Sequence, residues 1–151
     1  MERELTWATA EDTQGFGRRL GAVLRGGDVI VLTGDLGAGK TTLTQGIAEG
    51  LGVRGPITSP TFVIARVHPS LVAGPALVHV DAYRLGSALE LDDLDLDADL
   101  DASVTIIEWG AGLAEQLSDV RLEITLTGES ARTARLVGVG PRWAEALAAL
   151  G

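Results

Sequence analysis

A strand that runs straight into a glycine-rich loop and a helix, two later apolar strands that each end on one carboxylate, and a hairpin near the C-terminus together predict the fold class. It is a three-layer α/β P-loop NTPase, with a mainly parallel sheet extended by antiparallel strands from the C-terminal hairpin. The 151 residues, 46% of them hydrophobic, suffice for one domain spanning residues 1–151 with a core of ordinary size.

In chain order, residues 4–8 (ELTWA) read as a short strand, and Thr9 as the N-cap of a helix with an acid, Asp12, three residues on. Phe16, Leu20 and Leu24 mark one face of that helix, which Gly26-Gly27 is expected to end. Its expected role is packing, with Thr9 or Thr13 as the residues that a nucleotide base would meet.

Val29 to Leu32 then form a buried-type strand, and Gly34, Gly39, Lys40 and Thr41 fill the spacing G-x-x-x-x-G-K-[ST]. Glycines at 34, 37 and 39 let successive backbone N–H groups turn inward on an anion. The helix that starts near Lys40 adds the positive end of its dipole. Lys40 supplies a point charge for β- and γ-phosphates, and the Thr41 hydroxyl is placed to ligate Mg²⁺. Lys40 is also the only lysine in the chain. Leu43, Ile47 and Leu51 recur at helical spacing, and Gly50 and Gly52 are expected to close the helix.

After Gly55-Pro56 the segment Thr58-Ser59-Pro60-Thr61-Phe62 is extended, because Pro60 drives Ser59 out of the helical region. It reads either as a hydroxyl-rich turn before a strand from Phe62 to Val67 or as a loop that senses a γ-phosphate. Ala76 to Val80 runs into Asp81, and Val104 to Ile107 runs into Glu108. Each is a buried strand ending in a carboxylate, the form of a Walker B acid, and in a parallel sheet both ends share the edge where ligands bind.

Residues 120–127 (VRLEITLT) alternate as a half-exposed strand, Gly128-Glu129-Ser130 turn, and Ala134 to Val139 return. Pro141 stands at the first position of a last helix that carries Trp143, Leu147 and Leu150.

Composition excludes several chemistries. With no cysteine there is no disulfide, thiol nucleophile or zinc–thiolate site. No apolar run approaches the roughly 20 residues of a membrane span, and the N-terminus lacks a signal-peptide core, so a cytoplasmic protein is expected. Of the net charge of −9, Glu90, Asp92, Asp93, Asp95, Asp97, Asp99 and Asp101 carry seven negatives, and the rest is nearly neutral. Such a chain has no basic footprint for autonomous nucleic-acid binding. Asp93, Asp95 and Asp97 have the spacing of a calcium loop, but Ala98 and Val104 stand where that loop needs glycine and glutamate, so a solvated helical face is expected.

Four blocks in this order, GDLGAGKTT at 34–42, SPTF at 59–62, HVDAYR at 79–84 and IEW at 107–109, resemble the TsaE (YjeE) family of bacterial ATPases needed for threonylcarbamoyladenosine in tRNA. The resemblance implies an Mg²⁺-dependent ATPase that works with the TsaD and TsaB proteins, and it does not imply that this chain transfers the threonylcarbamoyl group itself. The acidic charge adds the expectation that tRNA is met only indirectly, through that complex. Carried over by motif, it implies that Gly37, Ala38, Gly39, Lys40, Thr41 and Thr42 hold the phosphates. Thr41 and Asp81 belong to the Mg²⁺ site, Glu108 lies beside the metal and the γ-phosphate, Ser59 and Thr61 fall in a switch-like loop, and Trp109 and Arg132 lie at the nucleotide. Lys40 and Glu108 are then the catalytic pair. The aspartate-rich 90–101 segment departs from the family's more mixed helix.

ATP is expected over GTP, because guanine recognition by [NT]KxD needs a second lysine and the chain has neither that nor any asparagine. A small-molecule kinase and a nucleotide-binding module without hydrolysis share the same motifs and remain the alternatives.

Overall fold

The computed structural model describes residues 2–34, 39–53, 65–68, 70–72, 74–81, 103–108, 120–128 and 132–150. Among them are β1 (Glu2–Trp7), α1 (Ala10–Val23), β2 (Val29–Gly34), α2 (Lys40–Leu51), β3 (Ala65–His68), β4 (Ala76–Asp81), β5 (Ser103–Glu108), β6 (Arg121–Thr127), β7 (Arg132–Val139) and α3 (Pro141–Leu150).

The strands form one sheet in the order β1-β7-β6-β2-β5-β4-β3. Its centre is parallel: β2 lies between β5 and β6, and β4 pairs with β5. The antiparallel pairs are β6 with β7, β7 with β1, and β3 with β4. The hairpin therefore does more than extend the sheet. Its first strand, β6, belongs to the parallel centre, and only β7 turns back. The alternation read at 120–127 is present in β6, where Leu122, Ile124 and Leu126 are buried and join the core. In β2 and β5 nearly every residue is buried, as parallel strands in mid-sheet must be.

One core runs from this face of the sheet to the helices, through Ile30, Leu32, Leu77, Val104, Ile106, Leu122 and Ile124 to Phe16, Leu20, Leu43, Ile47 and Trp143. Each fully buried leucine or isoleucine contributes about 1.5–3 kcal/mol relative to exposure. Thr9 caps α1 as the sequence predicts: its Oγ1 accepts from the Asp12 N–H, and the Asp12 carboxylate accepts from the Thr9 N–H. The helix stops earlier than expected, at Val23, with Leu24 extended as its C-cap ahead of the Gly26-Gly27 pair. Leu24 is still buried, so the apolar face reaches one residue past the helix.

The α1–α2 contact is closer than the apolar pattern suggests. The helices run in the same direction with backbones touching, Gly17 and Gly21 on one against Gly46 and Gly50 on the other. A Cβ at Gly17 would lie 2.6 Å from the Leu43 carbonyl oxygen and 2.9 Å from the Gly46 Cα. One at Gly46 would overlap the Gln14 carbonyl, and one at Gly50 the Arg18 carbonyl. Gly50 is thus part of a seam inside α2, and the residue that stops the helix is Gly52, at φ +74°. Glu49 spans the outer rim of the seam to Gln14 (2.7 Å) and Arg18 (3.0 Å).

At the opposite end, Arg142 of α3 holds Asp28 with two hydrogen bonds (2.7 and 2.6 Å) and donates to the Val23 carbonyl, tying the last helix to the junction from α1 to β2. Hydrogen bonding to Asp28 raises the pKa of the Arg142 guanidinium above its ordinary value.

Candidate functional site

Strand register brings the functional positions to one sheet edge. Leu32 of β2 lies opposite Glu108 of β5, and Glu108 lies opposite Asp81 of β4. Gly34, two residues beyond Leu32, ends β2 and opens the glycine loop, so the loop leaves the sheet beside the two strand-end acids. Asp81 is placed here by its backbone.

The loop returns at Gly39, the N-cap of α2, which takes the left-handed conformation (φ +97°) and offers no side-chain cap. Its carbonyl accepts the first helical bond, from Leu43. By helix geometry the amides before Leu43 have no acceptor within the helix, and they present partial positive charge on the loop side. Lys40 follows, only 7% exposed, and its Nζ donates to the Gly34 carbonyl at 2.5 Å. That bond ties the first glycine of the motif to its lysine. Thr41 and Thr42 are half-buried beside it, while the Thr44 hydroxyl turns back to the Lys40 carbonyl (2.8 Å).

Arg132 reaches the same place from β7. Its Nε lies 3.4 Å from where a Cβ of Gly39 would stand, so the guanidinium side chain lies along the loop's last glycine, and its Nη1 donates to the Gly128 carbonyl (2.5 Å). Among the described residues, two cations, a helix start without a side-chain cap and two strands that end on acidic residues therefore meet at the two ends of one loop. That donor set fits a phosphate chain carried with a divalent ion, since the cations and amides suit phosphate oxygens and the carboxylates suit Mg²⁺.

Glu108 is 4% exposed, and its Oε2 lies 2.7 Å from Nε2 of His79, which is fully buried on β4. Sequence reading did not single out His79, although a signal was present: a polar ring in the middle of the apolar run Ala76–Val80 must find a partner. The hydroxyls of Thr9 and Thr13 both serve the first turn of α1, Thr9 as its cap and Thr13 by donating to the Thr9 carbonyl. Gly37, Ala38, Ser59, Thr61, Trp109 and the acidic 90–101 segment lie outside the described residues.

Comparison with known proteins bears on the family and the fold. Residues 7–136 match the sequence model of the family described as threonylcarbamoyl adenosine biosynthesis protein TsaE. The tRNA threonylcarbamoyladenosine biosynthesis protein TsaE of Streptomyces coelicolor is 57% identical over 138 residues, covering 87% of this chain and 93% of that protein. The protein of the same name from Bacillus subtilis is 38% identical over 146 residues, covering 93% and 90%. The crystal structure of Bacillus YdiB superposes with a TM-score of 0.77 at 34% identity, covering 99% of this chain and 95% of that one.

Proposed function

This chain belongs to the TsaE family, and from that premise we propose that it is an Mg²⁺-dependent ATP hydrolase that supports the threonylcarbamoyladenosine modification of tRNA. The observation that carries the reading is the convergence of Lys40 and Arg132 on the Gly39 turn at the edge where Asp81 and Glu108 end their strands. Gly37 to Thr42 cradle the phosphates. Lys40, with one of its three N–H donors anchored on Gly34, directs positive charge at the β- and γ-oxygens. Arg132 adds a second cation from β7, and Thr61 and Trp109 complete the nucleotide site.

Thr41 and Asp81 are the residues assigned to hold Mg²⁺, with Glu108 beside them, and the ion when bound neutralises phosphate charge. Glu108 orients the attacking water or takes its proton. Hydrolysis is weak for the protein alone and rises with the TsaD and TsaB proteins, whose turnover it supports. The net charge of −9 favours contact with tRNA only through that complex, in the cytoplasm.

ATP turnover measured alone, with the TsaD–TsaB pair, and with a panel of small metabolites as acceptors tests this reading. Stimulation by the pair with release of inorganic phosphate is expected. Transfer to a metabolite would make the protein a kinase, and ATP binding without turnover under every condition would make it a nucleotide-binding module.

A further inference from the structure

His79 occupies a place in β4 where an aliphatic side chain would pack without cost, between buried Val78 and Val80. Burying an imidazole there is unfavourable unless a partner is gained, and the partner is Glu108, 2.7 Å away and itself nearly buried. An ionised carboxylate only accepts, so against Glu108 in that form Nε2 carries the shared proton and His79 donates. The other ring nitrogen, Nδ1, is buried with no hydrogen-bond partner among the described residues. Among the described residues the ring is therefore satisfied on one side only, toward Glu108. The register explains the reach: His79 lies opposite Ile106, so Glu108, two residues further on, shares its face and leans back along the sheet to meet it.

Resting on the reading of Glu108 as the residue that handles the attacking water, we infer that His79 is a positioning residue for it. By engaging Oε2 it fixes the rotation of the carboxylate and leaves Oε1 as the oxygen offered to water. His79 itself touches neither nucleotide nor metal. Its effect passes through Glu108.

The test uses the full chain with its partner pair and three substitutions at one position. His79→Gln carries an amide nitrogen at about the reach of Nε2, whereas His79→Asn places its amide near the position of Nδ1 and His79→Ala removes both. In the alanine and asparagine variants kcat should fall about 10- to 100-fold, the usual range for a partner that orients a working ligand. KM for ATP and the affinity for a non-hydrolysable Mg-ATP analogue should stay within about threefold. Glutamine should recover most of kcat at a thermal midpoint no higher than that of the asparagine variant. In a Glu108→Gln background, His79→Ala should lower kcat no further. Wild-type kcat in His79→Ala, losses that multiply in the double variant, or glutamine no better than asparagine at matched stability would overturn the inference.

A different measurement separates this inference from the proposed function. If the unsubstituted protein hydrolyses no ATP with or without partners, the function falls, and nitrogen-15 spectra of the imidazole in nucleotide-free protein still decide the pair. A proton on Nε2, with a resonance that moves on Glu108→Gln, supports the positioning contact. A proton on Nδ1, or a spectrum indifferent to Glu108→Gln, refutes it.

Discussion

The seam between α1 and α2 and the strand-end edge of β2, β4 and β5 are both close-fitting parts of the molecule, and they are specified in opposite ways. At the seam, specificity comes from missing atoms: Gly17, Gly21, Gly46 and Gly50 leave room for carbonyl oxygens and Cα atoms of the other helix. At the edge it comes from added polar groups: Lys40 on a carbonyl, Glu108 on an imidazole, Arg132 against a glycine. Both lie on α2, the seam along its flank and the edge at its first residue. The seam therefore sets where α2 begins, and the edge sets what that beginning can bind.

The comparison breaks most severely at Gly50. Gly50→Val puts three carbons where the Arg18 carbonyl stands, with backbone rather than a flexible side chain to displace. A loss of at least about 3 kcal/mol is expected. Urea unfolding reads it directly, and a wild-type midpoint would show that the helices separate without penalty.

Lys40→Ala should do the reverse. It should leave the unfolding midpoint close to wild type and remove roughly 2–4 kcal/mol of transition-state stabilisation, about two to three decades in ATP turnover. Undiminished turnover in the folded variant would remove the loop from the site.

The two carboxylates sharpen the edge itself. Mg²⁺ keeps several waters and takes one or two carboxylates, so Asp81 and Glu108 need not share a role. Asp81→Asn should raise the Mg²⁺ requirement and weaken Mg-ATP binding, whereas Glu108→Gln should bind Mg-ATP nearly normally and hydrolyse it about 100-fold more slowly. Mg²⁺ titrations of affinity and turnover in both variants check this, and the opposite pattern would exchange their assignments. The smallest effect belongs to the seam's rim. Arg18 and Glu49 are both about half exposed, so Arg18→Ala should cost no more than about 0.5 kcal/mol, shrinking further in high salt.

The edge was far more legible in the sequence than the seam, for a physical reason. A phosphate loop is local, its residue types fixed by one short turn, and each strand-end acid is announced by the apolar run before it. Lys40, β4 with Asp81 and β5 with Glu108 stand where the pattern puts them. Arg132 was different, because its approach to Gly39 depends on how β7 pairs, and only the family resemblance pointed to it. Glycines inside a helix carry no sign of a neighbour. Gly50 reads from sequence alone as a stop, and only the packed structure shows the carbonyl it makes room for. The end of α1 and the parallel pairing of β6 with β2 were obscured likewise, since Arg142 holds the Val23 carbonyl from far along the chain and β6 pairs with a strand distant in sequence.

The seam also changes how genetic data on this protein should be read. Every missense change at a glycine codon introduces a Cβ, so no single-base missense change at positions 17, 21, 46 or 50 is silent in volume. A saturation scan scored only on growth would show four depleted columns there, as deep as those at Gly39 and Lys40. A depletion map would then extend the nucleotide site along a helix flank that need never meet a nucleotide. Scoring cellular abundance alongside growth separates the two, because alleles at 17, 21, 46 and 50 should lose the protein while alleles at Lys40 should keep it and lose only its activity.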